Sequence, residues 1–198
     1  MSENEIREPI QKRSIEKKEK IIEYGFNLIC EKGYYNTNTA EIAKAAGVST
    51  GIVYNYFKDK HDILIEGIKL YANNIFFPTI LISKFNKTDL SNYLEKMIDS
   101  FIENHKLSEA AHEEIMSMIH SDKDIAQLYH SHEIDMTKTF TDLLLDNGFN
   151  SPNLKEKAHI ALGLIDTLCH EIIYHKHNDM DYQNMKKIVI NIVINLLS

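Results

Sequence analysis

The sequence predicts an all-α protein of about nine helices, and three observations lead there. Apolar residues recur at spacings of three and four rather than two, which is the periodicity of amphipathic helices and not of strands. Only 3 prolines and 7 glycines punctuate 198 residues. Cap-forming Ser, Asn and Asp stand where the first periodic runs begin, and glycine stands where they end.

Taken in order, residues 1–13 read as a polar, flexible arm. Ser14 can cap a first helix reaching about Lys32, with Ile21, Ile22, Gly25, Leu28 and Ile29 on its inner side and Gly33 as its terminator. The stretch "TNTAEIAKAAG" opens a second helix, where Asn38 and Glu41 have the spacing of a capping box. After Gly47, Ser49 or Thr50 caps a very short third helix to Phe57. Asp59 starts a fourth, running to about Phe77 and stopped by Pro78. Further helices are expected near 89–106, 108–121, 123–147, 153–177 and 181–197, separated by polar joints such as "SDKD", "DNGFNSPN" and "HNDMD". No internal repeat or low-complexity stretch is present.

A chain of this size, 43% hydrophobic, buries a core without disulfides. Its two cysteines, Cys30 and Cys169, sit in apolar helical surroundings as small hydrophobes, which fits a reducing cytoplasm. No cationic stretch followed by an apolar run opens the chain, and no uncharged apolar run approaches the length of a membrane span. The net charge of −7 is unevenly distributed: residues 1–60 carry +1 and residues 61–198 carry −8. Lys12, Arg13, Lys17, Lys18 and Lys20 cluster near the start, so the two regions are expected to meet different partners.

Two helices joined by a tight glycine turn, the second brief and polar outside, have the layout of a helix-turn-helix. Gly47 supplies the backbone conformation of the turn, Ala43 permits close helix crossing, and Ile42, Val48, Val53 and Phe57 are spaced to pack beneath. Thr50, Gly51, Tyr54 and Asn55 would face outward with hydroxyl, amide and aromatic groups suited to base edges. On spacing alone, an αα-corner with Tyr54 and Tyr56 half-buried fits equally well.

The stretch "TAEIAKAAGVSTGIVYNYFKDKHDIL", led in by "ICEKGYYNTN", closely resembles the DNA-binding region of the tetracycline-repressor (TetR) family of bacterial transcription regulators. The match covers about residues 15–64, with Gly33, Ile42, Ala43, Gly47, Val48, Tyr54, Phe57, Lys60 and Leu64 in register. The resemblance implies a helix-turn-helix domain over 14–60 and a helical effector-binding and dimerisation domain over 61–198, with the helix near 59–77 bridging them. It implies phosphate contacts from Thr39 and Lys60, major-groove contacts from Thr50, Gly51 and Tyr54, a DNA-backbone contact from Tyr56, and Ser49 among the DNA-binding residues. Asn55 falls where the family varies and is a candidate for adenine readout. Ala40 stands where many members carry a base, which leaves binding more dependent on Lys17, Lys18 and the arm.

For the remainder, the resemblance implies a small-molecule cavity drawn from Tyr71, Tyr93, Met97, Phe101, His112, Met116, Tyr129, His132, Met136 and Thr167, with an apolar or amphipathic effector. The last two helices carry apolar faces wider than one contact requires. Ala161, Ile165, Leu168, Ile172, Ile188 and Ile192 are therefore assigned to a homodimer interface, as a palindromic operator requires. The expected function is a cytoplasmic, sequence-specific DNA-binding regulator, a repressor released from its operator by a ligand. The alternative is a helical interaction protein that uses residues 80–198 to bind a protein partner without ligand sensing.

An enzyme is not expected: no glycine-rich phosphate loop follows a strand, no G-x-S-x-G elbow occurs, and neither cysteine has a basic setting. Ten histidines invite a metal, but His170 and His175 are five apart and about 140° around a helix. No metal and no cofactor are expected.

Overall fold

The computed structural model describes residues 4–76, 85, 87–105 and 107–198, and its described elements are helical: α1 (Asn4–Lys32), α2 (Thr39–Ala46), α3 (Thr50–Tyr54), α4 (Lys60–Phe76), α5 (Leu90–Asn104), α6 (Glu109–Ser121), α7 (Lys123–Asp146), α8 (Leu154–Tyr174) and α9 (Tyr182–Leu197). One 3-10 turn, Lys87–Asp89, leads into α5. The all-α expectation holds. Phe77 and Pro78, the expected end of the fourth helix, lie outside the described residues.

Local chemistry sets most boundaries. Asn38 and Glu41 form the capping box, each side chain accepting the other's backbone N–H. Gly47 closes α2 in the left-handed region at φ 68°, and Ser49 caps α3 by accepting the Ile52 N–H. Asp59 accepts the His61 and Asp62 N–H groups ahead of α4. Asp122 does the same for Asp124 and Ile125 at the start of α7.

One boundary differs from expectation. Instead of an arm over 1–13 and a helix capped by Ser14, α1 is helical from Asn4 and carries Ser14 in its interior. Acidic residues at the start of a helix complement its dipole and favour the extension. The Ser14 hydroxyl is hydrogen-bonded to the Tyr56 hydroxyl at 2.9 Å, a tertiary bond in place of a cap.

The chain divides into two compact units. The first joins residues 1–71 to 107–126, and the second joins 72–106 to 127–198, so the divisions fall inside α4 and α7. The expected boundary after residue 60 leaves out most of α4 and all of α6, and close packing explains the difference. A Cβ on Gly67 of α4 would sit 2.5–2.6 Å from Phe26 of α1, and one on Gly25 would sit 2.6 Å from Ile63 of α4. These helices cross where only glycine fits. Ile21, Ile42, Ala46, Val53, Ile63 and Leu64 fill the core of the first unit. In the second unit α5, α8 and α9 pack together around Leu94, Ile98, Ala158, Ala161 and Val193.

Candidate nucleic-acid interface and effector cleft

In the first unit, α2, the Gly47 turn and α3 stand on a floor of Ile42, Ala43, Ala46 and Val53, all buried. That burial leaves the opposite side of α3 to solvent. Tyr54 is 56% exposed. Gly51 is exposed, and a Cβ there would meet nothing nearer than the Ser49 hydroxyl at 4.0 Å. The exposed Asn55 side-chain amide has no hydrogen-bond partner among the described residues. Thr39 and Thr50 are half-buried, and Ser49 is exposed with its hydroxyl engaged in capping. An aromatic ring, a free amide and a bare backbone therefore stand together on the exposed side of a short helix, where they can reach base edges in a groove.

Cations flank this surface. Lys17 and Lys18 are exposed on α1, and the Lys18 ammonium lies 5.8 Å from the Phe57 ring centre. Lys44 and Lys58 are exposed as well, on α2 and just after α3.

Two residues differ from what the resemblance implies. Lys60 is expected on phosphate, but its ammonium donates to the Tyr34 carbonyl at 2.5 Å and the Thr37 carbonyl at 2.7 Å, and lies 4.3 Å from the Tyr34 ring centre. Two of its three donors are taken by backbone carbonyls, and the ammonium rests beside the ring. Tyr56, expected on the DNA backbone, is half-buried and bonded to Ser14.

The loop from Gly33 to Asn38 is held from the other side too: the Tyr34 N–H donates to the Glu114 carboxylate of α6 at 2.8 Å. His61 Nε2 lies 2.9 Å from an Asp122 carboxylate oxygen, joining the first turn of α4 to the start of α7. Burial acts upward on the Asp122 carboxyl, but the Ile125 N–H, the His61 side chain and the Asp124 N–H together hold it below the ordinary carboxylate value. Sequence reasoning missed these ties because they link residues 23 to 80 positions apart.

In the second unit, α7 and α8 enclose a cleft of about 90 Å³ lined by Tyr129, His132, Glu133, Met136, Thr137, His159, Leu162, Gly163 and Asp166. Of the ten residues expected in a ligand cavity, Tyr129, His132 and Met136 are here. Tyr93 and Met97 are core residues of α5, with Tyr93 stacked on Phe85 at 4.3 Å between ring centres. Phe101 packs with His105 and His170. Thr167 is exposed, its hydroxyl donating to the Gly163 carbonyl. Tyr71, His112 and Met116 belong to the first unit.

Across the cleft, the buried Thr137 hydroxyl donates to the Glu133 carbonyl and is bonded to His159 Nδ1 at 2.9 Å. With that hydroxyl proton used, His159 Nδ1–H is the donor. Burial, and secondly the charges of Asp166 and Glu133, push the Tyr129 phenol up to about 12. Burial lowers His132, with Asp135 acting weakly against it. Burial also pushes the Cys30 and Cys169 thiols up to about 12, the setting of inert rather than nucleophilic sulfur.

Three of the six expected interface residues are corrected. Ala161, Ile165 and Leu168 are buried within the subunit, because the apolar half of α8 that faces α5 and α9 fills its own core. The outward apolar residues are Ile160 on α8, with Ile188 and Ile192 on α9. Ile172 is half-buried.

Residues 21–66 match the family of bacterial regulatory proteins, tetR family. The HTH-type transcriptional regulator HbdR of Aromatoleum sp. (strain CIB) is 46% identical over 54 residues, covering 27% of this chain and 24% of that protein. The match spans about a quarter of the length of such curated relatives, 24–28%. A longer alignment, 145 residues at 28% identity covering 65% of this chain and 78% of the other, joins it to the biofilm operon icaADBC HTH-type negative transcriptional regulator IcaR of Staphylococcus aureus. Among solved structures, a transcriptional regulator from Saccharomonospora viridis in complex with choline shares the fold, with a TM-score of 0.67 at 19% identity over 90% of this chain and 95% of that one.

Proposed function

We propose that the chain is a TetR-type regulator, a homodimeric, sequence-specific DNA-binding repressor whose operator affinity a small molecule controls, on the premise that residues 21–66 match the bacterial regulatory proteins, tetR family. The observation that carries this reading is the outward side of α3, where Tyr54, the Asn55 amide and the uncovered Gly51 backbone stand together above a fully buried floor. Tyr54 and Asn55 read bases, Gly51 lets the backbone approach the groove, and Lys17, Lys18 and Lys58 contact phosphate. Lys60 and Tyr56 act one step back, holding the α1–α2 loop and α1 in place.

A helix-turn-helix reads a palindrome through two copies. The exposed Ile160, Ile188 and Ile192 supply an apolar face on the last two helices that pairs with the same face of a second copy. The α7–α8 cleft is the effector site. Support for a small organic effector comes from the cleft itself and from the choline complex of the Saccharomonospora viridis regulator. The IcaR similarity favours repression. Among the described residues no helix is long and apolar enough to cross a membrane, and the cytoplasm is the proposed compartment.

The test is selection of bound duplexes from a random library by the full-length protein, followed by binding at physiological salt. Enrichment of a palindrome is expected. Recovery of unrelated sequences would remove the reading.

A further inference from the structure

We propose that the α7–α8 cleft takes a small alkylammonium cation, its charge between the Glu133 and Asp166 carboxylates and its methyl groups against Tyr129, Met136 and Leu162. The proposal rests on the cleft being the effector site and adds the chemical class of the ligand.

The lining decides the class by elimination. It holds two carboxylates, no lysine or arginine, and two histidines, of which burial favours the neutral form of His132, so an anion would meet net like charge. A neutral occupant would strip water from those carboxylates without compensating them, which is costly. The histidines beside them, His130 at 3.2 Å from Glu133 and His170 at 3.2 Å from Asp166, offset the charge only when protonated. A bare metal ion fits poorly: among the described residues, the side chains whose donor atoms gather within 4.8 Å of one another include none from this cleft. Separated carboxylates suit a cation whose charge is spread over several carbons.

Size and surface agree with that choice. The cleft of about 90 Å³ has room for a small organic group. Tyr129 presents an aromatic ring to a cation, and Met136 adds a polarisable sulfur. The Tyr129 hydroxyl has no hydrogen-bond partner among the described residues, so no internal bond fixes it away from a ligand. Burial is the main cause of the raised Tyr129 phenol, and the Asp166 and Glu133 charges add to it in the same direction.

Calorimetric titration of the full-length protein with tetramethylammonium and with tert-butanol tests the class, since the two have similar size and differ in charge. Tetramethylammonium is expected to bind at least about tenfold more tightly. Glu133→Gln and Asp166→Asn should each weaken it by about tenfold while leaving ligand-free operator affinity and the thermal midpoint unchanged. Equal binding of the two probes, or cation binding that survives both substitutions, would overturn the inference. A library compound that releases the operator without competing with tetramethylammonium would also overturn it, yet leave a small-molecule effector standing. If no compound alters operator affinity while tetramethylammonium still binds in a Glu133- and Asp166-dependent way, the cation site stands and its regulatory role falls.

Discussion

Lys60→Met separates a structural lysine from a phosphate-binding one. The substitution keeps the hydrocarbon stem and removes the ammonium that donates to the Tyr34 and Thr37 carbonyls at 2.5 and 2.7 Å and lies 4.3 Å from the Tyr34 ring. Each hydrogen bond from a charged donor contributes about 1.5–3 kcal/mol. The low end applies because the loop is part-exposed and water can reach the abandoned carbonyls. The ring contact adds about 0.5–1 kcal/mol, and releasing the side chain returns about 1–2 kcal/mol of rotamer freedom. The net loss is about 2 kcal/mol, which at this chain length lowers the melting temperature by about 4–8 °C. Exposed Lys17→Ala should change stability by less than about 0.5 kcal/mol. The two should behave in the opposite way on DNA. Fluorescence anisotropy with an operator duplex across a salt series should show the slope of log affinity against log salt flattened by about 1.8 for Lys17→Ala, about 0.9 for each subunit of the dimer, and unchanged for Lys60→Met. A Lys60 variant of wild-type stability whose slope falls by about two per dimer would refute the reasoning and return Lys60 to the phosphate backbone.

Further outcomes follow from the same geometry. Ile192→Glu, at a position 46% exposed in the subunit, should give folded monomers by analytical ultracentrifugation with operator affinity lost. Ile165→Glu, at a position 4% exposed, should cost about 4 kcal/mol or more and lose helical circular dichroism instead of merely splitting the dimer. Gly67→Ala gains about 1 kcal/mol of helix propensity but drives a methyl to within 2.5–2.6 Å of Phe26, costing about 1–3 kcal/mol. Urea unfolding should therefore show the alanine to be the less stable residue. Asp122 has a folded-state value below its ordinary 3.8, so its stabilisation is complete above that pH and is lost as pH falls through the folded value. Asp122→Ala should cost about 1 kcal/mol at neutral pH as a lost cap and weaken the pH dependence of stability below about pH 4, as measured by urea midpoints.

What could be read in the sequence was local. The Asn38–Glu41 box, the Gly47 turn and the Ser49 cap act over three or four residues, so their signals lie side by side in the chain. The outward set on α3 followed once the period placed Val53 inside. Residues whose role depends on a distant partner were not legible. Ser14 looks like a cap because serine caps helices, and only the fold brings Tyr56 to it. Lys60 looks like a free cation until the α1–α2 loop folds over it. On α8 periodicity gathers Ala161, Ile165 and Leu168 on one apolar face, but it does not say whether that face meets α5 and α9 of the same chain or a second copy. The cleft residues Glu133, Thr137, His159 and Asp166 escaped notice because a polar or ionisable side chain on a helix reads as a solvated face until a second helix packs beside it.

The central claim is specific readout of duplex DNA by α3, and competition binding tests it most directly. The labelled duplex selected by the wild-type protein is held at physiological salt and challenged with unlabelled duplex of the same or scrambled sequence. Wild-type protein should prefer its own sequence by about 10³-fold or more, and Tyr54→Ala should bring that ratio close to one while residual non-specific binding persists. Equal competition by scrambled duplex, or a preference that Tyr54→Ala leaves intact, would contradict the account.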